Sequence, residues 1–198
     1  LPFMLEELNI TKTVGGLIAS WNFFGYLCGS LLSILSIFTK RIKFIFFVSI
    51  VFSISTTFLM SINDEIIFFI IVRFISGLSS AFVLIFGTAL ILPSIQAFGK
   101  KSLSTSHFMG VGFGIVISSI LVTILGDLGL HWNDLWIGVA LLSVILAIPI
   151  FICTPNETIA HSHSKKSKYI NNFGFSLIII SYGLYGFGYV ILGTFISA

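Results

Sequence analysis

Long apolar runs separated by short polar gaps organise this chain from end to end. A helix that crosses a bilayer needs about 20 mostly apolar residues. Runs of that kind fall near 13–38, 44–62, 66–92, 103–125, 133–152 and 172–197. Backbone amides have no water to bond in hydrocarbon, so an open chain satisfies them within a helix. The pattern therefore predicts helices, although 22 phenylalanines and many β-branched residues would favour strands in water. Leu1-Pro-Phe-Met4 reads as the outer end of a preceding span, and the apolar run that closes the chain reads as a helix cut short. The expected picture is a fragment: the tail of one helix, five full helices, a linker and most of a seventh.

Charge then orients the pattern. Lys40, Arg41 and Lys43 share one gap, Lys100 and Lys101 a second, and Lys165, Lys166 and Lys168 a third. The acids take the alternate gaps: Glu6 and Glu7, Asp64 and Glu65, Asp127 and Asp134. Lys and Arg are retained on the cytoplasmic side of membrane proteins, so 39–43, 93–102 and 153–171 are expected inside. Lys12, Glu157 and Arg73 depart from the rule. The stretch 153–171 is polar and reads as a cytoplasmic linker.

Composition agrees and narrows the classes. The chain is 57% hydrophobic and 9% charged, with mean hydropathy +1.12, whereas a soluble domain has about 25% charged residues. The net charge of +3 comes from loops on one side, so it reports orientation and gives no ground for a nucleic-acid partner. Cys28 and Cys153 have neither metal-site nor disulfide-framework spacing. His161-Ser-His163 lacks a third ligand for a metal. No phosphate loop, paired zinc histidines or nucleophile elbow is present. The sequence thus calls for no cofactor and no resident metal, and it reads as a non-enzyme.

One internal similarity stands out. Trp21-Asn-Phe-Phe-Gly-Tyr-Leu-Cys-Gly29 aligns with Ser106-His-Phe-Met-Gly-Val-Gly-Phe-Gly114, which pairs Asn22 with His107, Gly25 with Gly110 and Gly29 with Gly114. The two segments enter the membrane from opposite sides, and inverted repeats are a mark of secondary transporters. The glycines also suit small-residue packing faces, which membrane helices use for close approach. Gly25, Gly29, Gly77, Gly110, Gly114 and Gly186 are the expected packing positions.

The candidates for chemistry are sparse. Arg73 is the ionised group deep in a span, where a charge costs about 2.5–3.5 kcal/mol on insertion scales. Two readings stand for it: a substrate or coupling residue, or a structural tie to neighbouring helices. His107 titrates near neutral pH and is open to a proton-relay or a structural, gating role. Asn22 and Tyr26 share a helix face, as do Tyr182, Tyr185 and Tyr189. Such faces suit a cavity with aromatic walls and few polar anchors. Trp132 and Trp136 are expected to anchor the outer membrane interface.

The chain resembles the major facilitator superfamily, in particular its YbfB/YjiJ-type (MFS_4-like) branch. The resemblance lies in Leu1-Pro-Phe-Met4, Gly16 to Ser30, Val72-Arg-Phe-Ile-Ser-Gly-Leu-Ser-Ser-Ala81, His107 to Ile115 and Ser181-Tyr-Gly-Leu-Tyr-Gly-Phe-Gly-Tyr189. The loop at 39–43 departs from the superfamily's signature: it keeps basic residues but lacks the acid. The resemblance implies an all-α polytopic membrane protein, namely the N-terminal six-helix half of a major facilitator fold plus helix 7. Residues 1–152 would form the first half, 153–171 the linker and 172–198 the first helix of the second half. It also implies a secondary active transporter in the bacterial inner (plasma) membrane, moving a small-molecule substrate by alternating access, with a proton as one source of drive and the lipid bilayer as surroundings. Asn22, Tyr26, Arg73, His107, Tyr185 and Tyr189 are the candidate substrate-binding or coupling residues. The competing readings are an integral-membrane enzyme acting on lipid and a non-transporting sensor of the same fold.

Overall fold

A computed structural model describes residues 2–97 and 103–154 and isolated positions between 174 and 184, with backbone alone at 2, 94, 96, 97 and 103–107. Among these residues the chain forms α1 (Pro2–Glu7), α2 (Lys12–Leu32), α3 (Ser36–Thr39), α4 (Ile42–Leu59), α5 (Ile66–Ala97), α6 (Leu103–Asp127) and α7 (Trp132–Cys153). Residues 98–102 of the expected loop 93–102, residues 155–171 of the expected linker 153–171, and Tyr182, Tyr185, Gly186 and Tyr189 lie outside the described residues.

Among the described residues, four segments are long and apolar enough to cross a membrane: Ile42–Leu59, Ile66–Pro93, Phe108–Asp127 and Trp132–Cys153. With them the protein is a polytopic helical membrane bundle. α2 has the length, at 21 residues, but is less apolar than those four because glycines, Asn22 and Tyr26 interrupt it. It also stops earlier than the expected 13–38. The Ser33 hydroxyl bonds to the Ser30 carbonyl, Leu35 turns extended at ψ 136°, and the short α3 follows.

Two turns on the acidic side are built alike. α1 ends at Asn9, which takes a left-handed φ of 52°, and Ile10 N–H reaches back to the Leu5 carbonyl at 2.9 Å. α6 ends at Gly129 with φ 73°, and Leu130 N–H reaches back to Leu125 at 3.3 Å. Such six-to-one closures satisfy the last carbonyls of a helix and need a residue tolerant of positive φ, which favours Gly and, next, Asn. Each turn then runs through an extended residue, Thr11 or His131, into the next helix.

The core divides along the membrane normal. Near the acidic ends, Met4, Ile18, Met60, Phe69 and Val72 are buried together. Near the basic ends, Phe46, Ile50, Phe82, Phe86, Leu90 and Ala147 form a second cluster. Buried hydroxyls do not disturb either layer, because Ser49, Thr56 and Ser79 each bond to a carbonyl three or four residues back in their own helix.

α2 and α5 cross at backbone contact. A Cβ added at Gly77 would lie 1.9 Å from the Asn22 carbonyl oxygen, and one at Gly25 would lie 2.1 Å from that of Phe74. At Gly29 it would come to 2.8 Å from the Leu78 carbonyl and 2.9 Å from the Ala81 Cβ. Only hydrogen fits at these points, so dispersion contacts between backbones replace side-chain packing. α6 is different. A Cβ at Gly110, Gly112 or Gly114 would meet nothing within 4 Å, and the helix is exposed over most of 108–127. The packing role expected of Gly110 and Gly114 therefore has no counterpart among the described residues.

Candidate functional site

Arg73 sits on the second turn of α5, one turn below Phe69. That register places both residues against α7. The Trp132 ring meets Phe69 edge to face at 5.9 Å, and the Arg73 guanidinium carbon lies 4.7 Å from the centre of the Trp136 ring. A guanidinium over an indole is a favourable cation–π pair, worth about 2 kcal/mol when shielded from water. Trp132 and Trp136, expected as interfacial anchors, are both half-buried and turned toward α5. The i, i+4 spacing of the two tryptophans matches that of Phe69 and Arg73, so their long side chains bridge α5 and α7 at two successive turns.

The aromatic face does not satisfy the guanidinium's hydrogen-bonding capacity. Arg73 Nε is buried and has no hydrogen-bond partner among the described residues, and neither has the Asn133 side-chain oxygen. A donor and an acceptor are thus left unmet in the stretch of the bundle that also holds Trp136. Unmet buried groups are uncommon and costly, about 1–3 kcal/mol each. Among the described residues no acid pairs with Arg73; the Glu7 carboxylate contacts His131 Nδ1 instead.

Asn22 reaches the same turn from the other side. Its side-chain Nδ2 donates to the Arg73 carbonyl oxygen at 3.1 Å, while its own carbonyl faces Gly77. Asn22 therefore fixes the backbone that carries Arg73 and is not itself beside the guanidinium. Tyr26 follows one turn on, half-buried, with its backbone nitrogen also against Gly77. Among the candidates, the structure thus joins Asn22, Tyr26, Gly25, Gly29 and Gly77 in one α2–α5 seam, with Arg73 one turn before Gly77 on α5 and its guanidinium against Trp136 of α7. His107 is described by its backbone alone, within the first two turns of α6.

A small apolar cavity lies beside the site. Phe3 and Met4 from α1, Val122 from α6, and Trp132, Leu135, Trp136 and Val139 from α7 line it. Trp136 thus touches the cavity and carries Arg73. Nothing in the sequence pattern announces this pairing, since an i, i+4 tryptophan pair at a helix start reads equally as an interfacial belt.

Sequence reading also missed how the ends of α7 are held. At its start, the Glu7 carboxylate accepts from Trp132 N–H at 3.0 Å and lies 3.1 Å from His131 Nδ1. A carboxylate at a helix N-terminus meets unpaired amides and the positive end of the helix dipole. At its finish, Lys43 Nζ donates to the Thr154 carbonyl at 3.3 Å, where a cation suits the negative end. Among the described residues, no three His, Cys, Asp or Glu side chains gather as a metal-binding group would require.

Comparison with known families gives a match over residues 1–198 to the family described as uncharacterised MFS-type transporter YbfB (MFS_4). No curated protein and no solved structure matches the chain.

Proposed function

The chain belongs to the YbfB-type MFS_4 family, and from that membership we propose that it forms the first half, and the opening helix of the second, of a secondary transporter. In this reading residues 1–152 are the first transmembrane half, 153–171 the cytoplasmic linker and 172–198 the start of the second half. The protein sits in a bacterial inner membrane and carries a small solute by alternating access. The family match along the whole chain favours a carrier over a lipid-modifying enzyme or a sensor.

The observation that carries a role for Arg73 is its unmet Nε. A purely structural arginine would be expected to spend its donors on carbonyls or hydroxyls of adjacent helices. Arg73 instead has an aromatic face on one side and an unfilled donor. An acceptor arriving with the substrate, or presented by another helix during the cycle, would complete it. A carboxylate-bearing solute fits that chemistry, because the guanidinium's planar fork grips a carboxylate with two parallel hydrogen bonds.

Uptake into proteoliposomes by the full-length protein, across a panel of carboxylated, neutral and cationic solutes, tests the reading. Arg73→Lys keeps the charge and loses the fork, so uptake of a carboxylated solute should fall about tenfold, roughly 1.4 kcal/mol. Arg73→Gln should abolish it. Normal uptake by both variants, at matched protein levels, would make Arg73 neither a substrate contact nor a coupling residue.

A further inference from the structure

The basic end of the bundle carries a second feature, independent of the Arg73 site. Between α5 and α7 runs a groove lined by Ile91, Pro149, Ile150, Cys153 and Thr154. Its walls are apolar, and Pro149 adds a ring where other residues would present an N–H. Its end is charged. The Thr154 carbonyl, part of the lining, accepts from Lys43. The same ammonium lies 5.7 Å from the centre of the Phe47 ring, and Phe47 stacks on Phe151 of α7 at 4.7 Å. These contacts hold the Lys43 charge at the mouth of the groove. Lys40 and Arg41, both exposed, immediately precede it.

Among the described residues the charge at this rim is positive; Glu157, three positions past Thr154, lies outside them. Every acid among the described residues, from Glu6 and Glu7 to Asp127 and Asp134, lies at the opposite ends of the helices. An apolar slot that opens onto fixed cations at the end of membrane helices is complementary to an amphiphile with an anionic head. A small soluble anion would leave the slot empty, and a zwitterionic lipid would gain less from the cations. Basic pockets between membrane helices on the cytoplasmic side suit anionic head groups for this reason.

We propose that an anionic phospholipid binds at this site, its phosphate against Lys43 and the adjoining Lys40–Arg41 pair and one acyl chain in the groove. The lipid would tie the α3–α4 turn to the last turn of α7 from the membrane side. The site is separate from Arg73 and does not depend on which solute is carried.

Native mass spectrometry of the purified full-length protein, with phosphatidylglycerol or phosphatidylcholine added at equal concentration, reads the lipid directly. Phosphatidylglycerol should be retained preferentially. Lys43→Gln should lower its retention about fivefold, the effect of one basic residue on attraction to an anionic lipid. Ile150→Trp, which fills the groove, should lower it as well. Lys43→Arg should retain the lipid, and Lys12→Gln, at the other end of the bundle, should leave it unchanged. Should Lys43→Gln fail to fold, Ile150→Trp and Lys43→Arg decide between the outcomes. Equal retention of both lipids, unchanged retention in Lys43→Gln or in Ile150→Trp, or competition by glycerophosphate as strong as by the intact lipid would overturn the proposal. These outcomes do not bear on transport, so the site can fail while the carrier reading stands.

Discussion

α2 and α6 carry glycines at the same four-residue spacing, aligned as Gly25 with Gly110 and Gly29 with Gly114. On α2 an added Cβ would strike the backbone of α5; on α6 it would meet open space. Spacing alone therefore does not make a seam. What Gly25 and Gly29 have and Gly110 and Gly114 lack, among the described residues, is a facing helix with small residues of its own. Gly77 and Ala81 stand opposite Asn22 and Gly29 and let the two backbones close. Asn22 then adds a directional bond to the Arg73 carbonyl, which fixes the register that van der Waals contact leaves free to slide. A glycine pattern gives a helix the capacity for close approach, and the complementary surface decides whether that capacity is used.

The largest effect is expected where backbone meets backbone. Gly77→Leu places a side chain where even its Cβ would overlap the Asn22 carbonyl oxygen and should remove most folded protein, since it asks for more than the usual overpacking cost of about 1–3 kcal/mol. Detergent-solubilised yield and thermal melting measure this. If Gly77→Leu melts like wild type, the seam is not the close contact described.

Removing the polar tie should cost less. Asn22→Ala loses the bond to the Arg73 carbonyl, and interhelical hydrogen bonds in membranes average about 0.6 kcal/mol with a maximum near 1.7. A small fall in melting temperature is therefore expected, with a larger fall in transport because the turn carrying Arg73 loses its register. A stability loss as large as that of Gly77→Leu would mean that Asn22, and not the glycines, sets the crossing.

The smallest effect belongs to α6. Gly110→Ala adds a methyl where nothing lies within 4 Å, and alanine is the better helix former by about 0.8–1.0 kcal/mol in water. Stability should hold or rise slightly. If Gly110→Leu leaves melting unchanged and yet abolishes transport, the α6 face meets a segment beyond the described residues during the cycle. If melting itself drops, α6 packs as α2 does and the contrast disappears.

Much of the fold was legible in the sequence because it rests on one-dimensional quantities. Run length gave helices close to 42–59, 66–97, 103–127 and 132–153, and the one described basic gap, 40–43, lies at the ends of the helices opposite the acids. The end of α2 was not legible, since Ser33 and Leu35 look like ordinary continuations of an apolar run. The site was harder to read. Arg73 announced itself by the cost of a charge in hydrocarbon, but its companion Trp136 lies 63 positions away in the chain and carries an equally good interfacial explanation. Asn22 was identified by the helix face it shares with Tyr26 and by the internal repeat, but its bond to the Arg73 carbonyl was not foreseen, because a side chain's partner depends on the rotation of its helix. Glu7 was counted as a loop charge until α1 and α7 were brought side by side. Pairings between distant segments need the angle and register of two helices at once, and neither is written in hydropathy.

The two ends of α7 are gripped by different parts of the chain: Glu7 of α1 on the acidic side and Lys43 of α4 on the basic side. Pro149 falls between the second grip and the middle of the helix, where a helix bends most readily. A beam clamped at both ends cannot pivot at one of them without dragging the other clamp along. A bend at Pro149 falls between the two grips and would have to stretch one of them, which ties the angle of the last turn of α7 to the α3–α4 turn.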